Sequence, residues 1–156
     1  MKVILLFLFI LHSANAIDCN DAAKNNGHVV ITGTTVGEYA LTWCKALTSV
    51  DMPNVTSIGE GAFKYCTKMT DVDMPEVTSI DNYAFEECFA LTDVTMPEVT
   101  SIGEGAFKDC TGMNDVDMPE VTSIGAYAFQ GTGLIYVTMP EVTSIGAYAF
   151  SYTYLI

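Results

Sequence analysis

The sequence predicts a repeat solenoid, in which short parallel strands stack rung on rung along one axis. One phrase of 21 or 22 residues recurs five times, in copies that begin at Leu47, Met69, Leu91, Met113 and Leu134. The five prolines of the chain share one slot of this phrase, at Pro53, Pro75, Pro97, Pro119 and Pro140. A fixed period between about 20 and 50 residues is typical of solenoids, because one unit buries its apolar side only against its neighbours. Each repeated residue therefore belongs to a column along the stack.

Each copy opens with the pattern of a short strand and continues with that of a turn. Val50 and Met52 alternate with polar residues, as in a strand with one buried face, and Pro53 ends the strand because it has no N–H for the ladder. Phe63 and Cys66 lie three residues apart, which places them on one side of a single helical turn. We therefore expect about five to six rungs, each with one short parallel strand and one short helical or 3₁₀ turn.

The first sixteen residues have the three parts of a secretory signal peptide. Lys2 is followed by an apolar run from Val3 to Leu11 and then by Ala14-Asn15-Ala16, a small-residue cleavage pattern. The run is too short to cross a bilayer, which needs about 20 apolar residues. We predict that residues 1–16 are removed and that the protein is secreted, without membrane insertion.

Three further segments follow the signal peptide. Residues 17–46 are predicted to form an N-terminal cap and a degenerate first rung, in which Val30 takes the slot of Met52. The five repeats occupy residues 47–154, and residues 155–156 begin an incomplete one.

The charge balance excludes several classes of partner and of activity. The formal net charge is −13, and the basic residues after the signal peptide are five lysines. A surface of this sign repels phosphate backbones and anionic lipids, so we expect no nucleic-acid partner. We also predict no cofactor and no enzymatic activity, because His28 is the one histidine after the signal peptide and the carboxylates repeat along an open face instead of converging in a pocket.

Four cysteines fall in one column of the repeat, and a fifth lies outside it. Rungs about 4.8 Å apart spread Cys44, Cys66, Cys88 and Cys110 over roughly 14 Å, whereas zinc holds every sulfur about 2.3 Å from one ion. No metal site is therefore predicted. Packing as small buried hydrophobes is favoured, a disulfide between adjacent rungs fits the spacing, and Cys19 either pairs with Cys44 or stays free.

A threonine and a serine follow the proline turn in every copy, for example at Thr56 and Ser57. Their hydroxyls are expected to cap backbone groups of the turn. In the first copy Asn54-Val55-Thr56 is also an N-glycosylation sequon, which makes Asn54 a candidate glycosylation site.

Acidic residues recur at three positions in and just after each strand. Six aspartates alternate with the valine and methionine of the strand, and a glutamate follows the proline in four of the five copies. The candidate binding residues among them are Asp51, Asp71, Asp73, Asp93, Asp115, Asp117, Glu76, Glu98 and Glu120. Like charges one rung apart repel by about 0.8 kcal/mol in water. Three interpretations remain open: a surface that binds a basic protein, solvated charges that keep the strands soluble, and divalent cations that bridge rungs.

Two stretches, from Ile58 to Cys66 (IGEGAFKYC) and from Ile102 to Cys110 (IGEGAFKDC), together with the opening LxxVxM, resemble the BspA-type leucine-rich repeat. The resemblance extends over residues 36–156, although one copy has Asp81-Asn82 in place of Gly-Glu and the last two lack the cysteine. It implies a leucine-rich-repeat-like solenoid whose acidic columns line the concave face. It also implies a secreted or surface-exposed protein for adhesion or protein binding, without a shared catalytic site; the alternative is a structural or matrix repeat protein without a dedicated ligand.

The last residues predict an uncovered end of the stack. Leu155 falls on the slot that opens a copy, and no polar capping segment follows it. The strand of the fifth copy then presents Tyr136, Val137 and Met139 along an exposed edge. We expect either that the chain is a piece of a longer array or that this end associates with a second copy.

Overall fold

Two walls of stacked parallel strands enclose one apolar interior in the structure, a computed structural model that describes residues 19–156. The signal peptide predicted for residues 1–16 lies outside the described residues. A short helix, α1 (Cys19–Lys24), precedes the first rung.

Each rung contributes one strand of three residues to the first wall and one strand of two residues to the second wall. The strands of the first wall are β1 (His28–Val30), β3 (Ser49–Asp51), β5 (Asp71–Asp73), β7 (Asp93–Thr95), β9 (Asp115–Asp117) and β11 (Tyr136–Thr138). Those of the second wall are β2 (Thr35–Val36), β4 (Ser57–Ile58), β6 (Ser79–Ile80), β8 (Ser101–Ile102), β10 (Ser123–Ile124) and β12 (Ser144–Ile145). The predicted solenoid is confirmed, but each rung has a second strand that the sequence did not predict.

The two walls differ in continuity. All six strands of the second wall form one parallel sheet. Equivalent residues of neighbouring rungs pair in it, for example Ile58 with Ile80. The first wall is divided into a sheet of β1, β3, β5 and β7 and a separate pair of β9 and β11. A seam therefore runs down the first wall between β7 and β9, while the second wall and the core continue across it.

The helical or 3₁₀ turn predicted for each rung is wrong in detail, because this segment is a run of tight turns. Gly61 and Tyr65 have positive φ angles of 58° and 64°, in the left-handed region that ends a right-handed helix. Backbone N–H groups here bond alternately within the rung, as Ala62 does to the Gly59 carbonyl (3.2 Å), and to the next rung, as Phe63 does to the Ala84 carbonyl (2.8 Å). Stacking thus supplies the partners that a helix would find within itself.

Columns of identical apolar residues fill the space between the walls. The phenylalanine rings stack almost parallel, with centroids 5.1 Å apart between Phe85 and Phe107 and 5.3 Å apart between Phe107 and Phe129. Valine and methionine of the first wall and isoleucine of the second wall point into the same core. As expected, Phe63 and Cys66 are fully buried, although no helical turn presents them.

The N-terminal rung is shifted by one residue relative to the prediction. Val30 pairs with Asp51 and is 52% exposed, whereas Ile31 is 4% exposed and takes the inward slot assigned to Val30. In the second wall Val36 pairs with Ile58, so there the first rung keeps the 22-residue spacing of the repeat. The connection between these two strands is one residue shorter in this rung, which displaces the first-wall strand while leaving the second wall in register.

A disulfide between Cys19 and Cys44 attaches the N-terminal helix α1 to the first rung. It is one of the two alternatives for Cys19 that the sequence left open.

Candidate functional site

The side chains that point outward from the first wall are mostly carboxylates. The backbone alternates inward and outward residues, so that Val72 is buried between the exposed Asp71 and Asp73. The same alternation exposes Asp93, Asp115 and Asp117, and the glutamates of the following turns are exposed too. We call this surface the acidic wall and define it as Asp51, Asp71, Asp73, Asp93, Asp115, Asp117, Glu76, Glu98 and Glu120.

Register places the carboxylates of the acidic wall directly beside one another. Asp51 pairs with Asp73 and Asp71 with Asp93 in adjacent strands of the ladder. Threonine hydroxyls hold two of these carboxylates in position, since Thr70 donates to Asp71 at 2.6 Å and Thr92 donates to Asp93 at 2.9 Å. The result is a fixed array of negative charge that repeats at the rung spacing.

The acidic wall has almost no counter-charge of its own. Within residues 19–156 the one basic neighbour of its carboxylates is His28, whose Nε2 lies 3.7 Å from Asp51 Oδ2. The histidine is the first residue of β1, and its Nδ1 lies 2.8 Å from Ser49 Oγ. Its place in the first wall could not be predicted because the register of that rung is shifted.

The seam between β7 and β9 crosses the acidic wall near its middle. Val94, the inward residue of β7, is partly exposed, whereas Val72 in β5 is buried. Asp93 and Asp115 flank the seam, and their strands belong to different sheets. At the seam, β7 and β9 therefore do not form the backbone ladder that joins the other neighbouring strands of the acidic wall.

Two lysines, Lys64 and Lys108, lie on the turn side of the rungs and form their ion pairs there. Lys64 and Lys108 both contact Glu86, which is buried, with Lys108 Nζ 3.2 Å from Glu86 Oε1. The Tyr83 hydroxyl donates to Glu104 at 2.5 Å, and this hydrogen bond raises the pKa of Tyr83 to about 12. These groups join consecutive rungs and engage Lys64 and Lys108 away from the acidic wall.

The threonine column caps the turns as the sequence predicted. Thr56 Oγ1 donates to the Thr34 carbonyl at 3.1 Å, and Thr78 Oγ1 donates to the Thr56 carbonyl at 3.2 Å. The buried thiol of Cys66 donates to the Leu41 carbonyl at 3.1 Å, and burial raises its pKa to about 12. Both columns therefore join neighbouring rungs through hydrogen bonds.

A groove of about 850 Å³ runs along the second wall and was missed by sequence reasoning. Hydroxyls of the serine column, including Ser57, Ser79 and Ser101, line it, and its titratable groups are the carboxylates of Glu38 and Asp81. No signal in the repeat pointed to it, because two-residue strands are too short to show an alternation. It contains no histidine, cysteine or lysine that could act with the two carboxylates.

Two kinds of site are absent from the part of the chain that the structure describes. No cluster of three or more His, Cys, Asp and Glu side chains is arranged to hold a metal ion. Residues 19–156 also contain no helix with the length and apolar character needed to cross a membrane.

Solved structures share the fold and come from bacterial leucine-rich-repeat proteins. A leucine-rich cell surface protein from Faecalibacterium prausnitzii is 34% identical, with a TM-score of 0.76 over 83% of this chain and 40% of its own. A leucine-rich-repeat protein from Bacteroides ovatus is 28% identical, with a TM-score of 0.73 over 80% of this chain and 34% of its own. The leucine-rich-repeat protein of T. pallidum is 25% identical, with a TM-score of 0.62 over 78% of this chain and 73% of its own. The chain thus spans well under half the length of the first two.

No curated protein matches the chain. The model of the BspA type leucine-rich repeat region does match, in six copies over residues 34–156. This match includes the later part of the degenerate first rung, from residue 34 onward, and covers most of the sequence. The repeat class is generally non-enzymatic. The chain therefore belongs to the BspA-type leucine-rich-repeat family.

Proposed function

We propose that this protein is a secreted or surface-exposed interaction module, used in adhesion or protein binding, whose acidic wall binds a basic surface of a protein partner. What supports secretion is the pattern of residues 1–16, together with the cell-surface description of the related F. prausnitzii protein. What supports a protein partner is membership of a leucine-rich-repeat family.

The observation that carries the proposal is the lack of counter-charge on the acidic wall. Eight of its nine carboxylates have no basic side chain within ion-pair distance among the described residues. Repulsion between paired aspartates is therefore not relieved within the chain, and a basic partner would relieve it. Such a surface attracts cationic partners over a range of about 10 Å at moderate salt.

Two alternatives use the same charges differently. In a structural or matrix protein without a dedicated ligand, the charges would serve solubility and would protect the strand edges. In a cation-bridged protein, several carboxylates would have to share one calcium ion, which takes six to eight oxygen ligands. The lack of a suitable cluster within residues 19–156 argues against the cation alternative.

A charge-matched pair of variants separates the proposal from the solubility alternative. The first variant combines Asp71→Asn, Asp93→Asn and Asp115→Asn on the acidic wall. The control combines Glu38→Gln, Asp81→Asn and Glu87→Gln, which removes the same net charge elsewhere. Binding to immobilised lysozyme, a basic probe, is measured at about 50 mM and about 500 mM salt.

We expect the acidic-wall variant to lose at least tenfold in affinity at low salt and the control to keep most of it. High salt should weaken binding of the unmodified protein, because the attraction is screened. Equal losses in the two variants would mean that net charge alone is responsible, and the acidic wall would have no specific role.

We also propose that the 156-residue chain self-associates through the face of its last rung. Ile145 is 48% exposed, although the same slot is buried in the preceding rungs, as at Ile124. Tyr136 of the same rung adds an exposed aromatic side chain, in a slot that points outward along the whole stack. The tail covers this face only in part, where the Tyr154 and Ile156 N–H groups bond to the Leu134 and Ile135 carbonyls. Light scattering at high protein concentration should show a dimer that Ile145→Lys disrupts; a monomer in both proteins would refute it.

A further inference from the structure

We propose that Asn54 is an N-glycosylation site, which receives an oligosaccharide when the chain passes through a secretory pathway that carries out this modification. The proposal rests on the secretion proposed above. It adds a covalent modification at one end of the acidic wall, next to Asp51 in the same rung.

The acceptor sequence exists in one rung because of a single replacement. The slot of Asn54 holds glutamate in the other four copies, at Glu76, Glu98, Glu120 and Glu141. The threonine two residues later is present in every copy and bonds to the preceding rung, as Thr56 does to the Thr34 carbonyl. The threonine therefore has a structural role throughout, and asparagine in place of glutamate completes the Asn-X-Thr acceptor.

The folded turn has room for a glycan at this position. The Asn54 side chain is exposed in the turn that follows β3. The turn of the first rung beside it consists of small exposed residues, Thr32 and Gly33. A Cβ atom added to Gly33 would meet no atom closer than 3.8 Å, so space is open on this side. In contrast, the equivalent slot at Glu98 has a glutamate in the rung on each side.

The reaction needs a lipid-pyrophosphate-linked oligosaccharide as the donor. Asn54 Nδ2 forms a bond to the anomeric carbon of the first sugar, and the bond from that carbon to the phosphate oxygen breaks. The lipid pyrophosphate leaves with the electron pair, and the amide proton passes to a base of the transferase. Val55 is fully buried and the Thr56 hydroxyl is bonded in the folded rung, so the transfer takes place before this rung closes.

The position of the glycan would restrict how partners approach the acidic wall. Asn54 follows β3 closely, and Asp51 of that strand is the carboxylate that lies 3.7 Å from His28 Nε2. A bulky sugar there would shield the N-terminal end of the wall and leave Asp71 to Asp117 open. The glycan and the basic partner would therefore occupy different rungs.

The test is secretion of the full chain from cultured eukaryotic cells, behind its own signal peptide and, in parallel, behind an established one. Intact mass is measured before and after treatment with an N-glycosidase. We expect one glycan per chain, which Asn54→Gln abolishes. The matched control is Glu76→Asn, which creates the same Asn-Val-Thr in the next rung; added to Asn54→Gln, it should restore one glycan.

Unmodified protein from the established signal peptide would overturn the proposal, whether or not Glu76→Asn acquires a glycan. Failure of secretion has a different signature. A chain that stays inside the cells behind its own signal peptide, but is glycosylated behind the established one, would refute the secretion and leave Asn54 as the acceptor.

Discussion

At the scale of the residue, stability depends on columns whose members support one another. Phe107 is fully buried, with a phenylalanine ring on each side at 5.1 Å and 5.3 Å. Removing one ring leaves a cavity and deprives two neighbouring rings of a packing partner. Removing a phenylalanine that is exposed on the surface of a turn leaves no such cavity.

Phe107→Ala should therefore lower the free energy of unfolding by roughly 3–5 kcal/mol in urea denaturation. The control is Phe89→Ala, because Phe89 is 43% exposed, and its effect should stay within about 0.5 kcal/mol. A loss of less than about 1 kcal/mol for Phe107→Ala would show that the phenylalanine column does not hold the rungs together.

At the scale of the element, the sequence predicted what depends on side-chain period and missed what depends on backbone conformation. Val50 and Met52 alternate over enough residues to define a strand, whereas Ser57 and Ile58 form a strand of two residues, too short for any alternation. The positive φ at Tyr65 is adopted by a residue with no intrinsic preference for it, so the spacing of Phe63 and Cys66 suggested a helical turn instead.

The N-terminal rung shows a second limit of the same kind. Without a proline to mark the end of β1, nothing in the sequence indicates that its connection is one residue shorter, so the expected inward position of Val30 is wrong. The exposed positions of the acidic wall could be predicted because they alternate with buried ones. His28 and the groove of the second wall could not, since both depend on how rungs are aligned in space.

The disulfide between Cys19 and Cys44 should stabilise the N-terminal element by constraining the unfolded chain. A closed loop with a sequence separation of 25 residues corresponds to about 3.5 kcal/mol in the chain-entropy model. Adding a reductant should lower the stability of the unmodified protein by about this amount. It should have no effect on the variant with Cys19→Ser and Cys44→Ser, because the remaining cysteines are free. Equal stability of the unmodified protein with and without reductant would contradict this role.

At the scale of the whole molecule, charge is divided between the sides of the stack. On the turn side, Lys64 and Lys108 form ion pairs with Glu86, whereas the carboxylates of the acidic wall face solvent. A net charge of −13 spread evenly would favour no direction of approach, whereas this division directs cationic partners to one face. The seam between β7 and β9 lies within that face.

The most direct test of the acidic wall as the binding surface is an NMR titration of the ¹⁵N-labelled protein with lysozyme at low salt. We expect the largest shifts of backbone amide signals in β5, β7 and β9, whose aspartates are exposed, and little change at Tyr65, Glu87 and Asp109 on the turn side. Raising the salt concentration should return all of these amide signals toward their positions in the free protein, because the attraction is screened. Shifts concentrated on the turn side or along the second wall, with β5, β7 and β9 unchanged, would contradict the account.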